Sequence, residues 1–385
     1  MRIVHTSDWH AGRLWKNLNR LTELGAVLDN LAGFLVRERI DLLLMSGDVF
    51  DSVGPSAEAE RMVFTFFRRV GSAGVQTVVI AGNHDHAARL EAWGTLAELV
   101  GVRSVGLPRR RDDGGLIEIA TRDGERAQIA AVPFASVGRL VSALDVTGAA
   151  NVAPQKYADG MQRILEHLSS GFEPSAVRII VAHTHLANAI LAGSERQVHV
   201  GEEWAMTPQA IPDTAQYVAL GHIHRHQRVE ASAPTFYAGS PLQLDFGEAA
   251  EIKQFLLIEA APHLPVRVEA SPYEGAVPLA DISGTLQELE HEAERYRSCG
   301  HLRVKVQLDQ RDPDIARKVR QLLPNAVVVI ADLPRNDEIA DVERLAAGAA
   351  PRELYAMYHR KEHGRDADPR LLTAFDELRD VVVEG

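Results

Sequence analysis

Five short clusters set the chemistry this 385-residue sequence could do: Asp8-Trp9-His10; Gly47-Asp48, with Asp51 three residues on; Gly82-Asn83-His84-Asp85; Ala182-His183; and Gly221-His222-Ile223-His224. Each follows an apolar run of strand composition. Carboxylate, carboxamide and imidazole donors without a thiolate are hard and borderline ligands, suited to manganese, iron, zinc or magnesium held beside phosphate oxygens. An Asp-x-His triplet alone arises about once by chance in a chain this long, so the weight falls on the ordered set. The chemistry it predicts is two-metal hydrolysis of a phosphate ester. Two divalent ions ~3.5–4 Å apart need a bridging anion, which a carboxylate supplies, while neutral Asn and His ligands leave positive charge for the phosphate. Such a pair acidifies a water for in-line attack on phosphorus.

Plainer roles compete at each position. Asp8 or Asp48 alone would be a strand-end cap on a following helix, and only the company of the other clusters favours a ligand. His183 is the first polar residue after Ile179-Ile180-Val181 and is the expected ligand, with His185 as its rival. His5, His86 and His226 flank the clusters as structural groups.

The positioning elements alternate through the first third. Ile3 to Thr6 reads as a strand, Leu21, Leu24, Leu28, Leu31 and Leu35 as a helical stripe, and Leu42 to Met45 as a strand. Val63, Phe66, Phe67 and Val70 repeat the helical spacing, and Val78 to Ile80 is the next strand. This is a βαβαβ unit of parallel strands, in which ligands gather beyond the carboxyl ends, where Asp8, Asp48 and Asn83 fall. Strands at Gln128 to Val132, Ile179 to Val181 and Tyr217 to Leu220 follow, with a helix near Met161 to Leu168. Further β segments run at Gln227 to Glu230, Thr235 to Tyr237, Gln254 to Ile258 and Val266 to Glu269. The expected fold is α/β: a two-sheet sandwich flanked by helices.

Proline and glycine cluster from Pro272 to Pro278, where the site motifs stop, placing a boundary after residue 273. Residues 274–345 read as a small αβαβ module, with Asp312-Pro313 opening its second helix. Residues 346–385 read as a tail of two amphipathic helices, around Leu354, Met357 and Tyr358 and from Asp368-Pro369 through Leu371, Phe375, Leu378 and Val382. Their apolar faces would dock on their own chain or hold a partner helix pair.

Lys plus Arg total 41 against 53 Asp plus Glu, a formal charge of -12, which excludes holding nucleic acid by a whole-surface positive field but leaves local contacts open. Metal ions would supply their own charge where phosphate binds. Arg13, Lys16 and Arg20, close to the first cluster, are the better phosphate-backbone contacts, and Arg109-Arg110-Arg111 beside Asp112-Asp113-Gly114 is a solvated turn. Cys299 is the only cysteine, so no intrachain disulfide forms. The strand at the first residues leaves no room for a signal peptide, and no apolar run approaches the ~20 residues of a membrane span, so a cytoplasmic protein without membrane contact is expected.

The motifs from Asp8 to His224 resemble those of the calcineurin-like metallophosphoesterases and, within them, the SbcD family of DNA-repair nucleases. Gly239-Ser240-Pro241-Leu242, the small αβαβ module and the helical tail extend the resemblance. It implies that Asp8, His10 and His224 hold one metal, that Asn83, His183 and His222 hold the other, and that Asp48 bridges the two. His84 would act over the metals as an acid or phosphate clamp, its imidazole oriented and charged by Asp51. The resemblance further implies a manganese-dependent nuclease, exonucleolytic on double-stranded ends and endonucleolytic on single strands. Its partner would be an SbcC-type coiled-coil ATPase held by the tail, and its dimer interface the apolar helix bearing Met62, Val63, Phe64, Phe66 and Phe67. A phosphatase or cyclic-nucleotide phosphodiesterase is the alternative on the same scaffold. No Gly-x-x-x-x-Gly-Lys loop is present, so ATP dependence would come from the partner.

Overall fold

The computed structural model describes residues 1–121, 123–135, 157–195, 205–334 and 350–383. The chain opens with β1 (Arg2–Thr6), a short hairpin of β2 (Leu14–Trp15) and β3 (Leu18–Asn19), and helix α1 (Leu21–Arg37). It continues through β4 (Leu42–Met45), α2 (Ala57–Ser72), β5 (Gln76–Ile80), α3 (Ala87–Ala97) and β6 (Val102–Val105). Neighbours β1, β4, β5 and β6 pair in parallel, as the βαβαβ reading requires.

β4 and the second half of β5 are apolar at every position because both faces of this sheet are covered. Val4, Leu43, Met45 and Val79 face the helices, where Leu24, Leu28, Leu31 and Leu35 of α1 and Val63, Phe66 and Phe67 of α2 seal them. Ile3, Leu42, Leu44, Val78 and Ile80 face the other way, into the centre of the sandwich. Each such side chain contributes roughly 1.5–3 kcal/mol by leaving water.

The opposing layer consists of β7 (Leu116–Ala120), β8 (Arg126–Val132), β9 (Val177–His183), β10 (Tyr217–Gly221), β11 (Gln227–Val229) and β12 (Thr235–Tyr237). Helix α4 (Tyr157–Ser169) covers its outer face through Met161, Ile164 and Leu165. β13 (Gln254–Glu259) and β14 (Arg267–Pro272) then return to the first sheet, β13 pairing antiparallel with β1. Two six-stranded sheets result, ordered β14-β13-β1-β4-β5-β6 and β11-β12-β10-β9-β8-β7.

After residues 273–278 comes a parallel three-stranded sheet of β15 (Leu279–Gly284), β16 (His301–Gln307) and β17 (Ala326–Asp332). Helices α5 (Leu286–His291), α6 (Ala293–Arg297) and α7 (Ile315–Leu322) pack on it through Leu289, Ala293, Ile315 and Val319. The αβαβ reading therefore missed a first strand: β15 is an edge strand whose only fully buried positions are its ends, so its apolar alternation is weak. Asp312 does not cap the helix that follows; it accepts the Asp314 amide at 2.9 Å and the Lys318 ammonium at 2.7 Å, and the helix begins at Ile315. The tail helices α8 (Pro351–His363) and α9 (Pro369–Val383) pair with each other, Tyr355 stacked on Phe375 at 4.5 Å. The expected boundary between residues 345 and 346 lies outside the described residues. Among the described residues, no helix is long and apolar enough to cross a membrane.

Candidate metal centre

Both sheets deliver their expected ligands to one place. Asp8 and His10 lie just past β1, Asp48 past β4, Asn83 past β5, His183 at the last position of β9, and His222 directly after β10. The backbone there is strained: Asp8, His10, Asp48 and His222 have φ of 53°, 47°, 53° and 102°. Non-glycine residues in this region cost about 1–3 kcal/mol each and persist where the surroundings over-determine them. Here the two loops are zipped together, with Asp8 N donating to Gly47 O and His10 N to Asp48 O, both at 3.0 Å. Trp9 points the other way, stacked on Phe67 at 5.6 Å, its indole N–H bonded to Thr6 Oγ1 at 2.7 Å, so its neighbours Asp8 and His10 turn into the site. Gly47 has φ 98°, and a Cβ there would lie 2.3 Å from His183 Nδ1.

At the centre is Asp48, 1% exposed. Its Oδ1 accepts the His84 amide at 2.8 Å, which turns Oδ2 to within 3.7 Å of His10 Nε2 and 3.5 Å of His183 Nε2. On one side His10 Nε2 and His224 Nε2 stand 3.0 Å apart, with Asp8 completing a compact triad. On the other, Asn83 Oδ1 lies 2.9 Å from His183 Nε2 and 3.0 Å from His222 Nδ1.

This arrangement fits cations. His183 Nδ1 donates to Ser46 O at 2.8 Å, so Nε2 faces two oxygens, Asn83 Oδ1 and Asp48 Oδ2, that only a proton or a metal could join to it. Burial alone would keep that imidazole neutral, yet the Asp48 carboxylate pushes its pKa up to about 9. Asp8 is driven up to about 8 by burial, reinforced by Asp48 and opposed by His183. Burial works against ionising Asp48 too, but His183 beside it holds that carboxyl well below the usual range. His222 is lowered to about 3 and His224 well below its ordinary value, burial leading in both, so these rings are neutral donors. Once Asp8 and His183 give up their protons, two buried carboxylates stand beside neutral imidazoles, a cation site by charge and by donor type.

His84 sits at the rim, 4.7 Å ring to ring from His10. Its Nδ1 donates to the main-chain carbonyl of Asp51 at 2.8 Å. The Asp51 carboxylate is 4.0 Å from that nitrogen and 3.3 Å from His10 Nδ1, so the orientation expected of its side chain on His84 comes instead from its backbone. His183 rather than His185 occupies the cluster; the His185 ring stands 6.2 Å from that of His222. His5 is buried against Tyr217 OH at 3.0 Å and Ser46 Oγ at 2.9 Å, and His86 caps α3.

Arg20 does not reach a backbone phosphate. It is 5% exposed and pairs with Glu23 at 2.6 Å, joining the first loop to Gln243 and Val277. The i,i+3 spacing to Glu23 allows that pair, but the contacts to Gln243 and Val277, 223 and 257 residues away, have no trace in the sequence pattern. Arg13 keeps 24% of its side chain exposed near the ligands. Arg109 pairs with Glu91 at 2.9 Å and Arg111 with Asp112 at 3.3 Å, a solvated turn.

Asp85 follows His84 directly, yet nothing in the motif assigns it a role. Its carboxylate accepts Gly82 N at 2.9 Å, Phe50 N at 2.9 Å and Val49 N at 3.2 Å, tying the Asp48 turn to the Asn83 turn. Ser194, Glu248 and Lys253 also support the site. No spacing rule could have found them, because Ser194 meets Glu248, 54 residues on, only in space.

The calcineurin-like phosphoesterase family matches residues 1–226. Among curated relatives, the SbcD component of the SbcCD nuclease of Bacillus subtilis is 35% identical over 264 residues, covering 68% of this chain and 67% of its own. The corresponding SbcD protein of Rhodobacter capsulatus is 32% identical over 75% of this chain and 76% of its own. That of Escherichia coli K12 is 28% identical over 88% of this chain and 86% of its own.

Proposed function

The chain belongs to the calcineurin-like phosphoesterases and, within them, to the SbcD family, and from that premise we propose that it is a two-metal-dependent DNA nuclease acting in double-strand-break repair and recombination. The observation carrying this reading is the position of Asp48 Oδ2 between His10 and His183. Asp8, His10 and His224 would hold one ion, Asn83, His183 and His222 the other, with Asp48 shared. Manganese is the proposed metal. Bound there, the pair would neutralise phosphoryl charge and activate water.

The chain's own groups do the rest. His84, its Nδ1 proton committed to Asp51 O, presents Nε2 to the substrate as the clamp or acid for the leaving oxygen. Arg13, part-exposed and 3.9 Å from the Asp51 carboxylate, would turn from it to a neighbouring backbone phosphate. The strained, hydrogen-bonded ligand loops hold the donors in place before substrate arrives.

Residues 1–273 would form the nuclease domain, 274–345 a cap that positions DNA, and 346–385 the grip on an SbcC-type ATPase, the partner that the relatives' names imply. Val63, Phe66 and Phe67 are sealed in the core, so a second copy would dock on the outer side of α2 and α3. There Phe64 stacks on Trp93 at 5.1 Å and Leu96 and Leu99 are exposed. We place the protein in the cytoplasm, with DNA and the ATPase.

The test is incubation of the pure chain and manganese with a labelled duplex, a hairpin, and small phosphodiester and phosphomonoester substrates. Exonucleolytic loss of the duplex and opening of single-stranded loops are expected. Turnover of the small esters alone would make it a phosphatase or cyclic-nucleotide phosphodiesterase.

A further inference from the structure

A histidine ligand serves a metal only if its other ring nitrogen carries the proton. For His183 a carbonyl enforces this, because Ser46 O can only accept. His224 has no such partner: its Nδ1 lies 2.6 Å from the hydroxyl of Ser194, which could donate or accept. What decides the direction lies one step further out.

The Ser194 hydroxyl also meets Glu248 Oε1. Glu248 is wholly buried, and its Oε2 takes Leu244 N at 3.1 Å and the Lys253 ammonium at 2.5 Å. Lys253 directs its other protons to Glu251 at 3.0 Å and to the main-chain carbonyl of His224 itself at 2.9 Å. With Lys253 holding its charge in place, the Glu248 carboxylate accepts and does not donate. Ser194 has one proton and must give it to Glu248. Toward His224 it can then only accept, so Nδ1 bears the hydrogen and Nε2 turns its lone pair toward His10 Nε2, 3.0 Å away.

We infer that Ser194 and Glu248 are positioning residues that lock His224 in its ligating tautomer, a one-way relay anchored by Lys253. This rests on the metal-centre reading above. It makes a sharp distinction between two small changes. Ser194→Ala removes the acceptor and frees the ring. Glu248→Gln is nearly isosteric, but the two donors at Oε2 keep the amide oxygen there and turn its NH2 toward Ser194. Ser194 then accepts from the amide, its own proton swings to His224, and a hydrogen appears on Nε2 where the ion belongs.

The experiment is manganese titration of the full chain by calorimetry, beside ¹⁵N spectra of the metal-free histidines, with His224→Gln to assign the His224 signal. The parent should bind two ions and carry the His224 proton on Nδ1. Ser194→Ala should lose roughly 10–100-fold in affinity for one ion only, Glu248→Gln at least as much, and Ser194→Thr should restore it. Full two-ion affinity in Ser194→Ala, or an Nε2 proton on His224 in the parent, overturns the relay. If Glu248→Gln does not fold, Ser194→Ala decides alone. A parent that binds no manganese sinks the metal-centre reading instead.

Discussion

His84 is held by the main chain of Asp51: its Nδ1 is 2.8 Å from the Asp51 carbonyl and 4.0 Å from the nearer carboxylate oxygen. Replacing the carboxylate therefore leaves the imidazole in place. Asp51→Asn, whose amide oxygen can still accept from His10 Nδ1 where the carboxylate oxygen now stands 3.3 Å away, should retain most turnover, whereas His84→Ala should lose about 10²–10⁴-fold in kcat while both ions still bind. Steady-state rates on a labelled duplex beside metal stoichiometry check this. Equal losses in the two variants would return the role to the Asp51 side chain.

Metal uptake should release protons. His183, raised to about 9 by Asp48 against its burial, and Asp8, raised to about 8 by burial, are both protonated at pH 7 in the metal-free chain. Ligation needs both bare, so the proton competes with the metal below these values. Affinity should climb from pH 6 to pH 9, by up to about 1.4 kcal/mol per unit for each proton displaced. Calorimetry in buffers of different ionisation enthalpy reads the number released; a heat independent of buffer would show the groups already deprotonated.

Most of this candidate site was legible because the residues proposed as ligands sit at strand ends, where an apolar run announces the position and a polar residue breaks it. Asp48 after Leu42–Met45 and His183 after Val177–Val181 are of that kind. The parts that were not legible are bonds across sequence. Asp85 bonds amides 36 and 35 residues earlier, Ser194 meets Glu248 54 residues on, and Arg20 reaches Gln243, 223 residues away. β15 escaped because an edge strand needs no strong alternation, and Arg20 was misread because charge near a site looks the same whether it is free or already paired.

Gly82→Ala should abolish binding of the bridged pair without unfolding the chain. A Cβ there would stand 2.0 Å from Asp48 Oδ1 and 2.3 Å from Asp48 N, so the main chain of the Asp48 turn must move along with its carboxylate. The sandwich core lies elsewhere, so melting of the metal-free protein should fall by only a few degrees, in line with about 1–2 kcal/mol in a chain this size. Thermal unfolding and manganese titration on one sample separate the effects, and a variant that still binds two ions would show that the loop can yield.

Asp85→Asn tests the brace between the ligand loops. Both of its oxygens accept backbone amides, Gly82 and Val49 on Oδ2 and Phe50 on Oδ1, so an amide group must set an N–H against an N–H whichever way it turns. The buried mismatch should cost about 1–3 kcal/mol. Burial, helped by Asp48, raises the Asp85 pKa to about 6 from an unfolded value of 3.8. The folded chain therefore binds this proton first on acidification, and its contribution to stability is greatest below about pH 4 and falls as pH rises through 6. Asparagine cannot titrate, so the gap in stability between parent and variant should narrow from pH 5 to pH 7. Denaturant melts across that range measure it, and a gap that widens would mean that the ionised carboxylate is the form the three amides favour.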